Sequence, residues 1–318
     1  MNTNVSKMMA VGAAMLVLLA ALPVAQAQSQ VQTKPILDLS QAEVSPSNVV
    51  ADTTVATVSI DWAYDISAAP YGLATELQGT TTMTWDSPTC DKQGVVIAGP
   101  LSNIVSVTRD STGTTASADG TKQFTLQATQ EAPGETSISC TFAAQAESLG
   151  QQVTASDKKE TTGVFIVNFL GLISANLPST IKQAGPQKEI KYDIELTNLG
   201  NSRSTVRFDL ITENVGKWDP VTPSEIILDS PNQGGAETTK TVSFQVSTPF
   251  KNGWNNDQKT FQVRITPIST KDANIEGTPV TVNVLSRVRG VYVPTLEPVL
   301  LAAAVLGTAF VARRLRDE

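Results

Sequence analysis

Histidine is absent from all 318 residues. That gap excludes Ser-His-Asp and Cys-His catalysis, His-ligated zinc or copper, and any switch built on imidazole. Cysteine is nearly absent as well, with only Cys90 and Cys140. A thiolate metal site needs more soft ligands than these two, so no metal is expected. Aromatic residues make up 5 % and charged residues 17 % of the chain. The lysines and arginines are scattered, with no basic stripe interleaved with aromatics, which excludes a nucleic-acid surface. No glycine-rich phosphate loop links a strand to a helix, and no Ser-x-x-Lys motif stands in a supporting context. The sequence therefore names no catalytic residue and no cofactor, and the chain reads as a non-enzyme.

What is present starts at the two ends. Lys7 precedes an uncharged apolar stretch from Met8 to Ala25, and Pro23 breaks it just before Ala25-Gln26-Ala27. This is the layout of a signal peptide over 1–27, cleaved before Gln28. Near the other end, Val299–Ala312 carries no charge and is followed by Arg313, Arg314 and Arg316. Fourteen residues span only ~21 Å as a helix, short of a ~30 Å hydrocarbon core. Two solutions stand: a transmembrane segment over 289–312 with local bilayer thinning, or a sorting tail that is recognised and removed. Either one puts the arginines (313–318) in the cytoplasm and the rest outside, a single-pass type I membrane protein with its ectodomain extracellular.

The exported part is acidic: between Gln28 and Gly290 there are 27 acidic residues against 19 basic ones. A field of that sign keeps the surface soluble and repels nucleic acid. In this compartment Cys90 and Cys140 are expected to form one disulfide, worth about 4 kcal/mol in the chain-entropy model. The one Asn-x-Ser/Thr sequon, Asn4-Val5-Ser6, lies within the signal peptide, so the mature chain offers no standard glycosylation acceptor.

Period-2 alternation bounded by turn residues dominates the ectodomain and predicts an all-β fold. Ala56, Val58, Ile60, Trp62 and Tyr64 share one face of a strand. Phe124, Leu126 and Ala128 form a second apolar face, and Ile138, Cys140, Phe142 and Ala144 a third. Asp110–Gly113 and Ala132-Pro-Gly-Glu135 are turns by composition. Gln151–Thr162 is polar and reads as a connector, and the apolar run Val164–Ile173 reads as one fully buried strand. We place a first β-sandwich at 28–174 and a second at 175–288. In the second, alternation recurs at Ile190–Leu196, Val206–Leu210, Val242–Val246, Phe261–Ile265 and Val280–Val284, the pattern of an antiparallel sandwich.

Tyr192-Asp-Ile-Glu-Leu-Thr-Asn-Leu-Gly-Asn201, then Gly216-Lys-Trp218, the strand Thr241–Thr248 ending in Pro249, and Phe261–Ile265 follow one another in an order that resembles the NEW3/CARDB-type immunoglobulin-like domains. Those domains occur in archaeal and bacterial surface proteins, including S-layer-like ones. The resemblance covers about a third of the chain and implies an immunoglobulin-like fold. Its key element is the Thr-Asn-x-Gly-Asn turn, in which Asn and Gly are expected to supply positive φ.

Two constellations could carry ligand chemistry. Asp86 and Asp91 flank Cys90, a pairing that would suit Ca²⁺ only with further oxygen ligands. The stretch Asn252-Gly-Trp254-Asn255-Asn256-Asp257 joins an aromatic to amides and an acid, a mixture that stacks on and hydrogen-bonds a sugar. The expected function is a non-catalytic membrane-anchored surface protein that displays β-sandwiches for structural, adhesive or protein-interaction roles. The alternatives are a carbohydrate- or Ca²⁺-binding module, or an accessory ectodomain of a larger membrane complex. The expected partners are the lipid bilayer, through the C-terminal segment, and other surface proteins or further copies of the chain.

Overall fold

A computed structural model describes residues 33–67, 79–110, 115–150, 153–251 and 253–291. The predicted signal segment, the apolar C-terminal stretch and Arg313, Arg314 and Arg316 lie outside the described residues. Among the described residues no helix is long and apolar enough to cross a membrane. Their regular structure is almost entirely β, and it encloses two separate hydrophobic cores.

Eleven strands surround the first core: β1 (Ile36–Leu39), β2 (Glu43–Ser45), β3 (Asn48–Val49), β4 (Val55–Ser67), β5 (Gly79–Trp85), β6 (Thr89–Cys90), β7 (Val95–Ala98), β8 (Ser102–Arg109), β9 (Thr115–Ala128), β10 (Thr136–Ala146) and β11 (Lys159–Val167). They form one continuous sheet in the order β1-β4-β9-β8-β5-β10-β11-β3. The path turns a corner where β8 meets β9 through Thr108↔Ser117 and Arg109↔Ala116. A parallel bridge from Ala42 to Gly163 then brings the far ends back together. The apolar faces read from the sequence all point inward: Ala56 through Tyr64, Phe124 through Ala128, and Ile138 through Ala144 are buried. Trp85, Phe124 and Phe142 stack at the centre, with ring centroids 5.6 and 5.3 Å apart. Cys140 faces Cys90 directly across β10 and β6, and the two form a disulfide. The bond therefore ties neighbouring strands rather than spanning the core.

Nine strands build the second core: β12 (Ile173–Asn176), β13 (Ile181–Ala184), β14 (Glu189–Asn198), β15 (Ser204–Leu210), β16 (Asp219–Val221), β17 (Ile226–Leu228), β18 (Thr239–Ser247), β19 (Trp254–Ser269) and β20 (Val280–Val291). Sheets β12-β14-β18-β16 and β13-β20-β19-β15-β17 face one another. Between them Trp218, Phe261, Phe244 and Tyr192 form a chain of rings, with successive centroids 5.9, 6.1 and 6.4 Å apart. The sandwich is not purely antiparallel, since β13 runs parallel to β20 and, in the first core, β3 runs parallel to β11.

Three expectations need correction. Val164–Ile173 is not one buried strand: β11 stops at Val167, and β12 starts at Ile173 in a different sheet. Along β11 Thr161, Gly163, Phe165 and Val167 point inward, while Val164 and Ile166 are 47 % and 46 % exposed. β11 pairs with β10, so its side chains alternate with period 2 even over the uniformly apolar stretch Val164–Val167. Second, Lys159–Thr162 is strand rather than connector, because it pairs with Thr141–Ala144. Third, residues 289–291 belong to β20, where Val291 pairs with Trp254. Any membrane segment therefore begins after Val291.

Two polar groups sit in the first core against expectation. Lys122 lies on the inner face of β9, with its ammonium 5.5 Å from the centre of the Phe124 ring, and desolvation lowers its pKa. The Tyr64 hydroxyl is buried and has no hydrogen-bond partner among the described residues. Burial pushes its pKa up to about 12 from an ordinary value of 10.0. Below pH 10 the phenol is neutral in both folded and unfolded chains, so its share of stability is fully present there. Between pH 10 and about 12 the unfolded chain ionises first, and stability falls as pH rises through that window. Tyr64→Phe is expected to remove this part of the alkaline decline, leaving the part owed to Tyr192, whose pKa burial also raises. At neutral pH the change should be within about 1 kcal/mol, since no hydrogen bond is lost. Denaturant titrations at pH 7 and pH 11 check this, and an unaltered alkaline decline would contradict it.

Candidate functional site

Two places gather polar side chains in a defined geometry: the junction between the cores and the outer face of the β13-β20-β19 sheet.

At the junction the chain leaves β14 through Asn198-Leu-Gly-Asn-Ser202 and enters β15 in the opposite sheet. The turn is thus a crossover between layers, not a hairpin within one. None of its residues has a positive φ. Side-chain amides hold it instead, a role for which Asn is suited because its short arm reaches the local backbone. Asn198 Nδ2 donates to the carbonyls of Ser202 (2.9 Å) and Asp229 (3.1 Å), while its Oδ1 accepts from Gly200 N (2.8 Å). Asn201 faces away from its own domain. Its Oδ1 accepts from Leu170 N at 2.8 Å and its Nδ2 donates to Asn168 O at 3.1 Å. Its backbone N donates to Leu170 O, and its carbonyl accepts from Gly134 N at 2.8 Å.

Glycine is required on both sides by close approach. A Cβ on Gly200 would lie 2.2 Å from the Leu170 carbonyl, and one on Gly134 2.2 Å from Asn201 Oδ1. Further bonds flank the clamp. Asn232 Nδ2 donates to Gln130 O (2.7 Å) and Gln233 Nε2 to Gly134 O (2.9 Å). Ser269 donates to the Glu135 carboxylate, and the Lys271 ammonium to the Glu135 carbonyl. Asn198 and Asn201 are buried, so the bonds of these two amides compete little with water.

The second place contains the stretch singled out for sugar binding. Trp254–Asp257 is the first part of strand β19 rather than a loop, and Asn252 lies outside the described residues. Strand alternation divides the four residues between two faces. Asn255 is 3 % exposed and structural: Oδ1 accepts from Lys251 N, while Nδ2 donates to the Lys251 and Gly253 carbonyls. With Asp257 it lines a groove of about 430 Å³ shared with Gly216, Lys217, Trp218 and Phe250. Trp218 is a core residue there, packed edge-on against Phe261. Trp254 and Asn256 lie on the other face, where Asn256, Asp257, Gln258, Gln183, Arg287 and Arg289 line a polar cleft of about 440 Å³ along the sheet. Trp254 is 57 % exposed, and the Arg289 guanidinium lies 6.0 Å from the centre of its ring. The two arginines went unnoticed in the sequence, although Arg287-Val-Arg289 at i and i+2 on a strand places both on one face.

Asp86 and Asp91 do not converge. Asp86 pairs with Lys158, and Asp91 Oδ1 accepts from Ser139 N at 2.9 Å. Among the described residues no group of three His, Cys, Asp or Glu side chains is placed to hold a metal ion.

No model of a known protein family matches this chain, and no curated protein does. Among solved structures the chain is similar to domains 4 and 5 of the S-layer protein SbsC, at 13 % identity over 46 % of this chain with a TM-score of 0.22. It spans 65 % of that S-layer chain. It is similar to the complex of Dpr11 IG1 with DIP-gamma IG+IG2 at 9 % identity, over 80 % of this chain and 99 % of that one, with a TM-score of 0.27. It is also similar to BcpA, the major pilin subunit of Bacillus cereus, at 14 % identity over 80 % of this chain and 71 % of that one, with a TM-score of 0.25. All three lie below the identity and TM-score from which a shared function follows.

Asn201→Ala deletes two side-chain bonds and leaves Leu170 N and Asn168 O without them, at an expected cost of about 2–4 kcal/mol. Calorimetry should show the melting of the two cores drawn apart, whereas Trp254→Ala, at a surface position, should shift stability by less than about 0.5 kcal/mol. Equal effects of the two substitutions would contradict the clamp.

Proposed function

We propose that this chain is an exported, non-catalytic surface protein in which two β domains, joined end to end, stand away from a membrane to which the C-terminal segment tethers them. The observation that carries this reading is the position of the exit strand. β19 runs from Trp254 to Ser269, and Ser269 lies at the junction, bonded to Glu135. Val291 pairs with Trp254, at the opposite end of that strand. At ~3.3 Å per residue the exit point is about 50 Å from the junction. The chain after Val291 thus leaves from the pole remote from the first core, and a tether there would display the first core outermost.

Other features agree. A cleaved leader over 1–27 and a disulfide fit an exported chain. The apolar stretch 299–312 followed by Arg313, Arg314 and Arg316 fits a type I anchor or a sorting tail. The second domain, proposed over 175–288, is taken as an immunoglobulin-like module of NEW3/CARDB type, on the strength of its two-sheet sandwich and the Thr-Asn-x-Gly-Asn crossover. Its mechanism is display: a buried polar clamp holds the orientation of the domains while loops and sheet faces meet other surface proteins or further copies of the chain.

Deleting residues 296–318 is expected to release the ectodomain into the medium. Membrane fractionation followed by immunoblotting checks this, and retention of the shortened chain in the membrane fraction would contradict the tether.

A further inference from the structure

We propose that the outer face of the β13-β20-β19 sheet is a binding site for an acidic glycan, a chain of sugars carrying carboxylates. The residues come from three adjacent strands in register. Gln183, Arg287 and Gln258 form one row across the sheet, since Arg287 pairs with both of the others. Arg289 and Asn256 form the next row, and Val291 and Trp254 the one beyond. Rows on one face repeat every two residues, about 6.7 Å apart, and neighbouring strands lie ~4.8 Å apart. The result is a polar cleft lined by amides, two arginines and Asp257, with the exposed Trp254 indole beside Arg289 at one end.

Three observations identify the ligand class. First, Arg287 and Arg289 make no ion pair among the described residues, whereas Arg203 pairs with Asp229, and Arg207 with Asp209 and Glu276. Arg264 is likewise without an ion pair among those residues, but Arg287 and Arg289 are held on one face of one strand, where an anion from outside would relieve their repulsion. Asp257 also lines the cleft, beside both arginines, and its Oδ1 accepts from the backbone N of Gln258 at 2.9 Å. The guanidinium fork matches a carboxylate in a bidentate fashion. Second, Gln183, Asn256 and Gln258 line the cleft with amides that both donate and accept, as hydroxyls require. Third, Trp254 presents a broad exposed ring beside Arg289, a surface for the apolar face of a sugar. A purely anionic partner would need the arginines but not the indole, and a neutral glycan the indole but not the arginines. The site stands whether or not the chain is tethered, because none of its residues lies beyond Val291.

The test uses the full chain in detergent. Trp254 is the one exposed tryptophan of four, Trp62, Trp85 and Trp218 being buried, so emission reports on the cleft. Titration with hexagalacturonate should shift the emission and saturate. Arg287→Gln with Arg289→Gln should weaken binding about tenfold or more, and Trp254→Ala should weaken it and abolish the shift. Arg264→Gln, on the same sheet but outside the cleft, should leave binding within about twofold and rules out a net-charge effect. Circular dichroism of each variant confirms that the fold is kept. No saturable binding of hexagalacturonate overturns the proposal. Equal affinity for maltohexaose overturns the acidic requirement, equal affinity for hexaglutamate overturns the glycan, and binding that is indifferent to the arginine and tryptophan changes places the site elsewhere.

Discussion

The arrangement of this molecule depends on one buried side chain. Asn201 is fully buried and bonds through both ends of its amide and both groups of its backbone, reaching residues 168–170 and Gly134. Each β core is built by the hydrophobic effect, which is strong but indifferent to direction. By itself it does not specify how one core stands on the other. Directional bonds do so here, sheltered from water, and their geometry admits few alternatives. The two glycines that let the backbones approach, Gly134 and Gly200, serve the same contact from opposite sides.

With the junction held, the remaining topology acquires a long axis. β19 and β20 run the length of the second domain, so the clamp is at one end and Val291 at the other. The polar cleft lies along the outer side of that axis near the exit pole, on strands whose inner residues, Phe261, Val263 and Val284, belong to the core. A rigid strand offers a ligand better-placed side chains than a loop does, because its alternate residues are already immobilised by packing.

The all-β character and most inward faces were legible from alternation alone: the run from Ala56 to Tyr64 needed no tertiary information, since a half-buried strand writes its burial into a period of 2. Val164–Ile173 was misread for a related reason, because two outward residues, Val164 and Ile166, are apolar too and the period disappears. Ala132–Glu135 was legible as a turn and its partner was not, while residues 111–113 of the turn expected at Asp110–Gly113 lie outside the described residues. Ala132–Glu135 and Asn198–Asn201 are 60-odd residues apart and meet only through the fold, so no local rule connects Gly134 to Asn201. At the cleft, Trp254 and Asn256 stood out as aromatic and amide. Arg287 and Arg289 escaped notice because their significance comes from the absence of a carboxylate across the register, which only strand pairing reveals.

Native-state hydrogen exchange at the junction tests the central claim most directly. If the clamp is as described, the amides of Leu170, Asn201 and Gly134 exchange as slowly as those of the flanking strands, opening only when a whole core opens. Exchange at these three positions as fast as in exposed loops would show two domains moving freely on a flexible linker, and would contradict the account.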